Sequence, residues 1–386
     1  MAEAYIVETA RTAGGRRKGA LSGVHPADLG ATVLNALVER SDIDPAAVED
    51  VIGGCVSQAG EQSFAFARNV VLASKLPDTV PAVTIDRQCG SSQQALHFAA
   101  QAVMSGTQDI VIACGAESMT RVPMGSNYML HAQAGLSVGP WSDAILQRYG
   151  IAEFSQFAGA QAIADKYGFT REQMDSYALE SHRRAAAAIT IGAFQDEIVP
   201  VTTDMGVFDQ DEGVRFDASL EAMAAVRTIQ DGGSITAANA SQMTDGASGV
   251  IVMNERAVKA HGVKPIARIV NLTVTAGDPV VMLEEPIPAT LKALDRAGLK
   301  LEDIDLFEVN EAFASIPMAW LKALGADPAR LNVNGGAIAL GHPLGASGTK
   351  LMTTMLHALK ARGGRYGLQT MCEGGGTANV TIVERL

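Results

Sequence analysis

The chain has 386 residues, 47% of them hydrophobic and 19% charged, so it can form two or three compact units with a large core. Acidic residues outnumber basic ones by 42 to 30, and the formal net charge of −12 argues against a nucleic-acid partner. No run reaches the roughly 20 apolar residues of a membrane helix, and neither a signal core nor a C-terminal Ser-Lys-Leu address is present. The four cysteines lack C-x-x-C spacing, which predicts free thiols in a cytoplasmic protein with no metal site.

Short β-like runs alternate with helical ones in the first part of the chain, and a strand–helix–strand order favours parallel pairing. The segment 95–104 is apolar nearly all round, which indicates a helix buried on every side between two sheets. The predicted elements are strands at 4–10, 48–56, 80–86 and 109–115, with helices after Pro26, from about Ser91 and at 171–189.

The C-terminal part repeats this pattern. An offset of 255 takes Gly90, Ser92 and Leu96 onto Gly345, Ser347 and Leu351, and the order of strand, turn and helix is also repeated. We therefore predict an α/β fold built from duplicated halves. The first half is residues 1–265 with an inserted loop domain at 118–243, and the second is residues 266–386.

Cys89 stands where a predicted strand ends and a helix begins, in the sequence VTIDRQCGSSQQAL. Unpaired backbone N–H groups and the positive end of the helix dipole would face its sulfur there. This position predicts a lowered pKa and a reactive thiolate. A buried cysteine that acts as a small hydrophobe is the competing interpretation.

His342 lies in a Gly-His-Pro turn just before the second repeated helix. Under the duplication it stands near the position that matches Cys89, and a nucleophilic thiol needs a base such as imidazole. The other six histidines are interpreted as structural.

Two further stretches carry candidate chemistry. In TMCEGGGTA, Cys372 leads into three glycines, of which Gly374 could offer its N–H group to a reacting oxygen, although a plain hairpin would look the same. In EVNEAFASI, Asn310 ends a strand and could hold a water or a carbonyl oxygen, although it could equally cap a helix.

With these four motifs, and with RTAGGRRKGALSGVHPADLG at 11–30, the sequence resembles the thiolase family over its whole length. The resemblance implies a layered αβαβα sandwich and ping-pong acyl transfer between coenzyme A thioesters. It makes Cys89 the acylated nucleophile, His342 its activating base, Cys372 the acid and base, and Asn310 a ligand of the thioester oxygen. The N–H group of Gly374 would join that of Cys89 in a second oxyanion hole.

The resemblance also nominates contacts to coenzyme A, the expected substrate, and it implies no tightly bound cofactor. Ser241 lies in a stretch similar to the family loop along the pantetheine, and Phe313 would line the pantetheine tunnel. Arg215 matches by position a residue that contacts the nucleotide, although a solvated surface charge is an equal interpretation.

Glu373 departs from the Cys-Ile-Gly of many relatives, and strand alternation predicts that its side chain points away from Cys372. Two alternatives to a thiolase are a ketoacyl synthase, which Cys372 argues against, and a non-catalytic lipid carrier, which the complete set of four residues argues against. The sequence does not define the acyl group, whose pocket we expect at 118–165. We expect a homodimer or a homotetramer.

Overall fold

The computed structural model describes residues 3–137 and 139–386, so residues 1, 2 and 138 of the expected first half lie outside the described residues. The strands are β1 (Ala4–Thr12), β2 (Gly15–Arg16), β3 (Asp50–Gly54), β4 (Ala82–Ile85), β5 (Ile110–Ser118), β6 (Ile198–Val199), β7 (Val201–Thr203), β8 (Gly206–Phe208), β9 (Thr244–Asn254), β10 (Ala267–Ala276), β11 (Leu306–Val309), β12 (Tyr366–Glu373) and β13 (Thr377–Arg385). The helices are α1 (Pro26–Ser41), α2 (Phe66–Ala73), α3 (Ser91–Ser105), α4 (Ser126–Gln133), α5 (Asp143–Tyr149), α6 (Gln156–Tyr167), α7 (Arg171–Thr190), α8 (Leu220–Ala224), α9 (Glu255–His261), α10 (Pro286–Ala297), α11 (Ser315–Leu324), α12 (Ala337–Leu340) and α13 (Ser347–Arg362).

One large sheet runs through the protein in the order β11-β12-β13-β10-β1-β9-β5-β3-β4. Strands β2 and β6 pair beside this path with β9 and β1, and β7 and β8 form a separate ribbon. The two halves meet where β1 pairs antiparallel with β10, through the residue pairs Tyr5–Arg268 and Ile6–Ala267. The half-sheets that the sequence predicts are thus joined at one edge.

The two half-sheets repeat the same pairing. In the first, β3 is parallel to β5, β5 is antiparallel to β9, and β9 is antiparallel to β1. In the second, β11 is parallel to β12, β12 is antiparallel to β13, and β13 is antiparallel to β10. Even an irregularity is repeated, because the register shifts between Ile6 and Glu8 in β1 and between Ile269 and Asn271 in β10. The predicted fold of duplicated α/β halves is confirmed.

Two helices, α3 and α13, form the central layer and pack on each other. Along β5, Val111 and Ala113 face this central core, whereas Ile110 and Ile112 face an outer core under α1 and α2. Period-two alternation of this kind follows from the strand geometry, and both faces are apolar because both are covered by helices. Helices α10 and α11 cover the outer face of the second half. The helix predicted to be buried between two sheets is α3.

The segment between the end of β5 and the start of β9 carries α4 to α8 and the short strands β6 to β8. Its longest helix, α7, begins with a capping box in which Thr170 and Gln173 satisfy each other's backbone N–H groups. Helix α6 packs on α11, and α7 packs on α12, so the segment is anchored on the second half. Within the described part of the chain, none of the helices combines the length and apolar character that crossing a bilayer requires.

Candidate active site

Cys89 lies in a tight turn between the end of β4 and the start of α3. Gln88, directly before it, has a φ of 49°, in the left-handed region that residues other than glycine rarely adopt. The Ser91 hydroxyl holds this conformation, because it donates to the Gln88 carbonyl at 2.6 Å and accepts from the Arg87 N–H at 2.9 Å. The turn therefore fixes Cys89 at the beginning of α3, as the sequence predicts.

The expectation of a lowered pKa for Cys89 is wrong. Burial raises the pKa of this thiol well above its ordinary value, and Cys372 and Glu373 raise it further. The side chain is 7% exposed and packs among Val56, Met119, Leu344, Leu351 and Met371, so little water reaches the sulfur to solvate a thiolate. Cys89 is consequently a thiol at rest, and a base has to take its proton when it reacts.

His342 is buried in the turn before α13, and its hydrogen bonds define its tautomer. The Ser347 hydroxyl donates to the Pro343 carbonyl at 3.0 Å, so it must accept the N–H of His342 Nδ1, which lies 2.5 Å away. The proton is thereby placed on Nδ1, and Nε2 carries the lone pair, which lies beside Asn310 Nδ2. Burial, followed by the charge of Lys350, lowers the pKa of His342 to about 3, so the ring is neutral at physiological pH.

Lys350 supports the turn that carries His342. It is almost completely buried in α13, donates to the carbonyls of Leu340 and Gly341, and lies 3.9 Å from Asp211. Burial lowers its pKa to about 8. A buried ammonium group thus holds the two carbonyls that precede His342.

Asn310 connects His342 with Cys372. Its Nδ2 lies 3.5 Å from Nε2 of His342. Its side chain also acts to lower the pKa of Cys372 against the larger effect of burial. The balance raises the pKa of Cys372 to about 12, so it remains a proton donor at neutral pH. The Asn310 Oδ1 is buried and has no hydrogen-bond partner among the described residues, which leaves it available to a water or a substrate.

Gly374 begins the turn between β12 and β13 and faces the Cys89 turn. A Cβ at this position would lie 2.9 Å from Gln88 Oε1, so a larger residue would require the Gln88 side chain to shift. The side chain of Glu373 lies on the face of β12 opposite Cys372, as strand alternation predicts, and it is fully buried there against Gly90.

The three candidate contacts to coenzyme A lie in different environments. Ala240 and Phe313 pair as a short antiparallel bridge, and the Ser241 N–H donates to the Ala312 carbonyl at 2.9 Å. Phe313 is 3% exposed and belongs to the apolar cluster that contains Cys372. Arg215 is exposed and has no salt bridge among the described residues.

Several supporting residues were not identified from the sequence. Glu117 is fully buried and accepts the N–H groups of Val56, Ser57 and Gly345, which ties the first half to the turn after His342. Ser347 was noted only as a repeat match, and Lys350 was not considered. Under the offset of 255, Lys350 corresponds to Ala95 of the buried helix α3, and a lysine at such a position was the signal that could have indicated it.

The site combines a buried thiol, a neutral imidazole beside the Asn310 amide, and a second buried thiol. A thiol and a base in one site are the groups that nucleophilic catalysis through cysteine requires. No cluster of three or more His, Cys, Asp or Glu side chains that could hold a metal occurs in residues 3–137 and 139–386.

The family described as "Thiolase, N-terminal domain" matches residues 4–256, and "Thiolase, C-terminal domain" matches residues 263–385. The chain is 56% identical to a steroid 3-ketoacyl-CoA thiolase of Mycobacterium tuberculosis, over 100% of this chain and 95% of the relative. It is 44% identical to an acetyl-CoA acetyltransferase of Escherichia coli and 40% identical to a 3-ketoacyl-CoA thiolase of Bacillus subtilis, in both cases over 100% of each protein. The chain belongs to the thiolase family and is an acyltransferase.

Proposed function

We propose that this thiolase cleaves a 3-oxoacyl-CoA by a ping-pong mechanism in which Cys89 carries the acyl group. The observation that supports this most directly is the Asn310 amide, whose Nδ2 lies 3.5 Å from Nε2 of His342 and which acts on the pKa of Cys372. The proposed base for the nucleophile and the proposed acid for the leaving group are thus both associated with one amide.

In the first half-reaction, Nε2 of His342 takes the proton of Cys89, and the sulfur attacks the 3-keto carbon. The bond between the α and β carbons breaks, its electron pair forms the enolate of acetyl-CoA, and Cys372 protonates that carbon. In the second half-reaction, Cys372 takes the proton of a new CoA thiol, which attacks the thioester and releases Cys89. Condensation of two acyl-CoA molecules is the reverse.

Two groups of donors support the oxyanions of this scheme. His342, once protonated on Nε2, and a water held by Asn310 serve one thioester oxygen, and the N–H groups of Cys89 and Gly374 serve the other. Removing one such donor costs roughly 2.7–4 kcal/mol of barrier. We place the pantetheine along Ser241 and Phe313 and the nucleotide at the exposed Arg215, with no tightly bound cofactor.

We propose a bulky, ring-containing acyl group such as one derived from a steroid. A series of neighbouring aromatic rings supports this proposal. The ring centres of Tyr128 and Trp141 lie 6.2 Å apart, and those of Trp141 and Phe154 lie 5.6 Å apart. The ring centres of Phe157 and Phe313 lie 5.5 Å apart, and Phe313 belongs to the apolar cluster that contains Cys372. The name of the relative at 56% identity agrees with this choice.

Thiolysis rates with straight-chain 3-oxoacyl-CoAs and with a polycyclic 3-oxoacyl-CoA test the acyl group. We expect the highest kcat/KM with the polycyclic substrate, and we expect Trp141→Ala to lower that value while acetoacetyl-CoA cleavage is unchanged. Ile191→Ala, at an exposed position of the last helical turn of the inserted segment's longest helix, is the control. A preference for straight chains, unaffected by Trp141, would refute the proposal.

A homodimer, alone or paired into a tetramer, is our proposal for the assembly. Strand β4 ends the large sheet with unpaired backbone groups, and Val83 on it is 47% exposed. Phe64 and Phe98, on segments that pack beside β4, are 89% and 40% exposed. Light scattering should give at least twice the chain mass for the native protein and a smaller mass for Val83→Arg.

The division into 1–265, with the insertion 118–243, and 266–386 is also proposed, on the basis of the repeated strand pairing and the repeated register shift. We further propose a cytoplasmic location, which cell fractionation tests directly.

A further inference from the structure

Glu373 is a buried carboxyl group at the end of β12 for which the acyl-transfer scheme has no use. Its Oε2 accepts a hydrogen bond from the Thr377 hydroxyl at 2.6 Å. Its Oε1 is buried as well and has no partner among the described residues. Leaving a buried acceptor unsatisfied costs about 1–3 kcal/mol, so the arrangement needs an explanation.

Asn379 of β13 presents the same feature at the same place. Its Nδ2 donates to the Gly90 carbonyl at 3.3 Å, whereas its Oδ1 is buried with no partner among the described residues. A Cβ on Gly90 would overlap Glu373 Oε1 and would lie 2.8 Å from Asn379 Oδ1. Two buried acceptor oxygens therefore lie on the same side of Gly90, and neither has a hydrogen-bond partner among the described residues.

Rotating the Asn379 amide would not resolve this conflict. The rotation would offer Nδ2 to Glu373, but it would turn Oδ1 towards the Gly90 carbonyl, which is another acceptor. One proton on Glu373 Oε1 satisfies both orphaned oxygens and keeps the existing bond to Gly90.

We propose that Glu373 is a positioning residue that is protonated in the active enzyme and donates its proton to Asn379 Oδ1. The carboxyl, the amide and the Gly90 carbonyl then form a chain that holds the turn carrying Cys89. The proposal rests on the proposed function only in taking Cys89 as the nucleophile. Loss of the proton removes the donor and places a negative charge beside Cys89, where it opposes formation of the thiolate.

The charged groups around Glu373 agree with this assignment. Burial raises the pKa of Glu373 to about 8, although Arg87 in the nucleophile turn acts to lower it. The other titratable groups facing this place are Asp86 and Cys89 in the turn and Cys372, its neighbour in β12; His97 of α3 lies farther along β13, where it contacts Thr381. Because the pKa is raised, the neutral carboxyl predominates below about pH 8 and the charged form above it.

Two variants distinguish the effect of the proton on Glu373 from the effect of the side-chain volume. Glu373→Gln keeps a donor to Asn379 Oδ1 and cannot ionise, so it reproduces the neutral form at every pH. Glu373→Leu keeps the volume but leaves Asn379 Oδ1 without a donor. We expect Glu373→Gln to retain kcat below pH 8 and Glu373→Leu to lose kcat at all pH values.

The direct test is infrared difference spectroscopy of the wild type across pH 8, combined with the rate at which iodoacetamide alkylates Cys89, measured by peptide mass. We expect a carboxylic acid C=O band that disappears above pH 8 and is absent from Glu373→Gln. We also expect the alkylation rate of the wild type, relative to Glu373→Gln, to fall about tenfold across pH 8, as one unit of pKa shift at Cys89 produces.

A wild type without the carboxylic acid band, or a rate ratio that does not change with pH, would overturn the proposal. Neither measurement requires acyl transfer. Failure of Cys89 to become acylated would instead refute the proposed function and leave both readouts unaffected.

Discussion

Nδ2 of Asn310 lies 3.5 Å from Nε2 of His342, although the two residues belong to different segments of the second half. Asn310 follows the end of β11, and its N–H donates to the Thr370 carbonyl at 3.1 Å, which fixes the amide beside Cys372. His342 is fixed independently by Ser347 and by the Thr244 hydroxyl, which accepts its backbone N–H at 3.0 Å. The base and the acid of the reaction are thus connected through a rigid amide.

Replacement of Asn310 by alanine should lower kcat about 10²- to 10³-fold, because an oxyanion donor is lost. KM should change much less, since the amide acts mainly on charge that develops in the transition state. Steady-state thiolysis kinetics measure both constants. Asn35→Ala, on the outer helix α1, is the control and should behave as the wild type; equal effects of both variants would rule out a specific role for Asn310.

Cys372→Ala should still accept an acyl group on Cys89 but should fail to exchange protons at the acetyl carbon of acetyl-CoA. Hydrogen exchange into deuterated solvent, followed by mass spectrometry, measures this step. Cys114→Ala is a matched control, because burial raises the pKa of Cys114 and of Cys372 alike to about 12, but Cys114 lies in the outer core. If Cys372→Ala retained exchange, its role as the acid would be excluded.

Lys350→Met should remove the support of the turn before His342. Hydrogen bonds from a charged group contribute roughly 1.5–3 kcal/mol, so we expect a loss of stability of that size and a lower kcat. Lys350→Arg, which keeps the charge and several donors, should recover part of both. Thermal unfolding and kcat measure the outcome, and a fully stable, fully active Lys350→Met variant would show that the contact is dispensable.

The elements of the fold could be predicted because their signals are local. The strand at 4–10 and the helix from Ser91 follow from periodicity, and α3 could be placed in the centre because it is apolar all round. The nucleophile turn at Cys89 also followed from the order of strand and helix.

The properties that could not be predicted from the sequence depend on contacts between distant segments. The pKa of Cys89 is set by burial among side chains from both halves, which outweighs the helix terminus that the sequence shows. The burial of Glu373 was not predicted, because alternation gives only the face of a strand, not what covers it. Lys350 escaped notice for the same reason, since its partners come from the preceding turn and from Asp211.

Buried histidines should make the protein less stable in mild acid. Burial lowers the pKa of His97 and of His342 from 6.5 to about 3, so the unfolded chain binds more protons between these values. The contribution of these two histidines to stability is therefore full above about pH 6.5 and falls below it, by roughly 2 kcal/mol for each histidine at pH 5.

His97→Asn should flatten this dependence, because the substitution removes one of the buried histidine rings whose pKa is lowered. The free energy of unfolding from urea titrations at pH 7 and pH 5 gives the slope directly. His261→Asn, at an exposed position in the final turn of α9, should leave the slope unchanged. A slope that His97→Asn does not alter would contradict the assignment of His97 as a buried neutral ring.

The nucleophile is the foundation of the mechanism, and peptide mass spectrometry after incubation with acetoacetyl-CoA tests it most directly. We expect an acetyl group on the peptide that carries Cys89, a much slower appearance of that group in His342→Asn, and none in Cys89→Ala. An acetyl group found instead on Cys372, or a Cys89→Ala variant that still forms a covalent acyl-enzyme, would contradict the account.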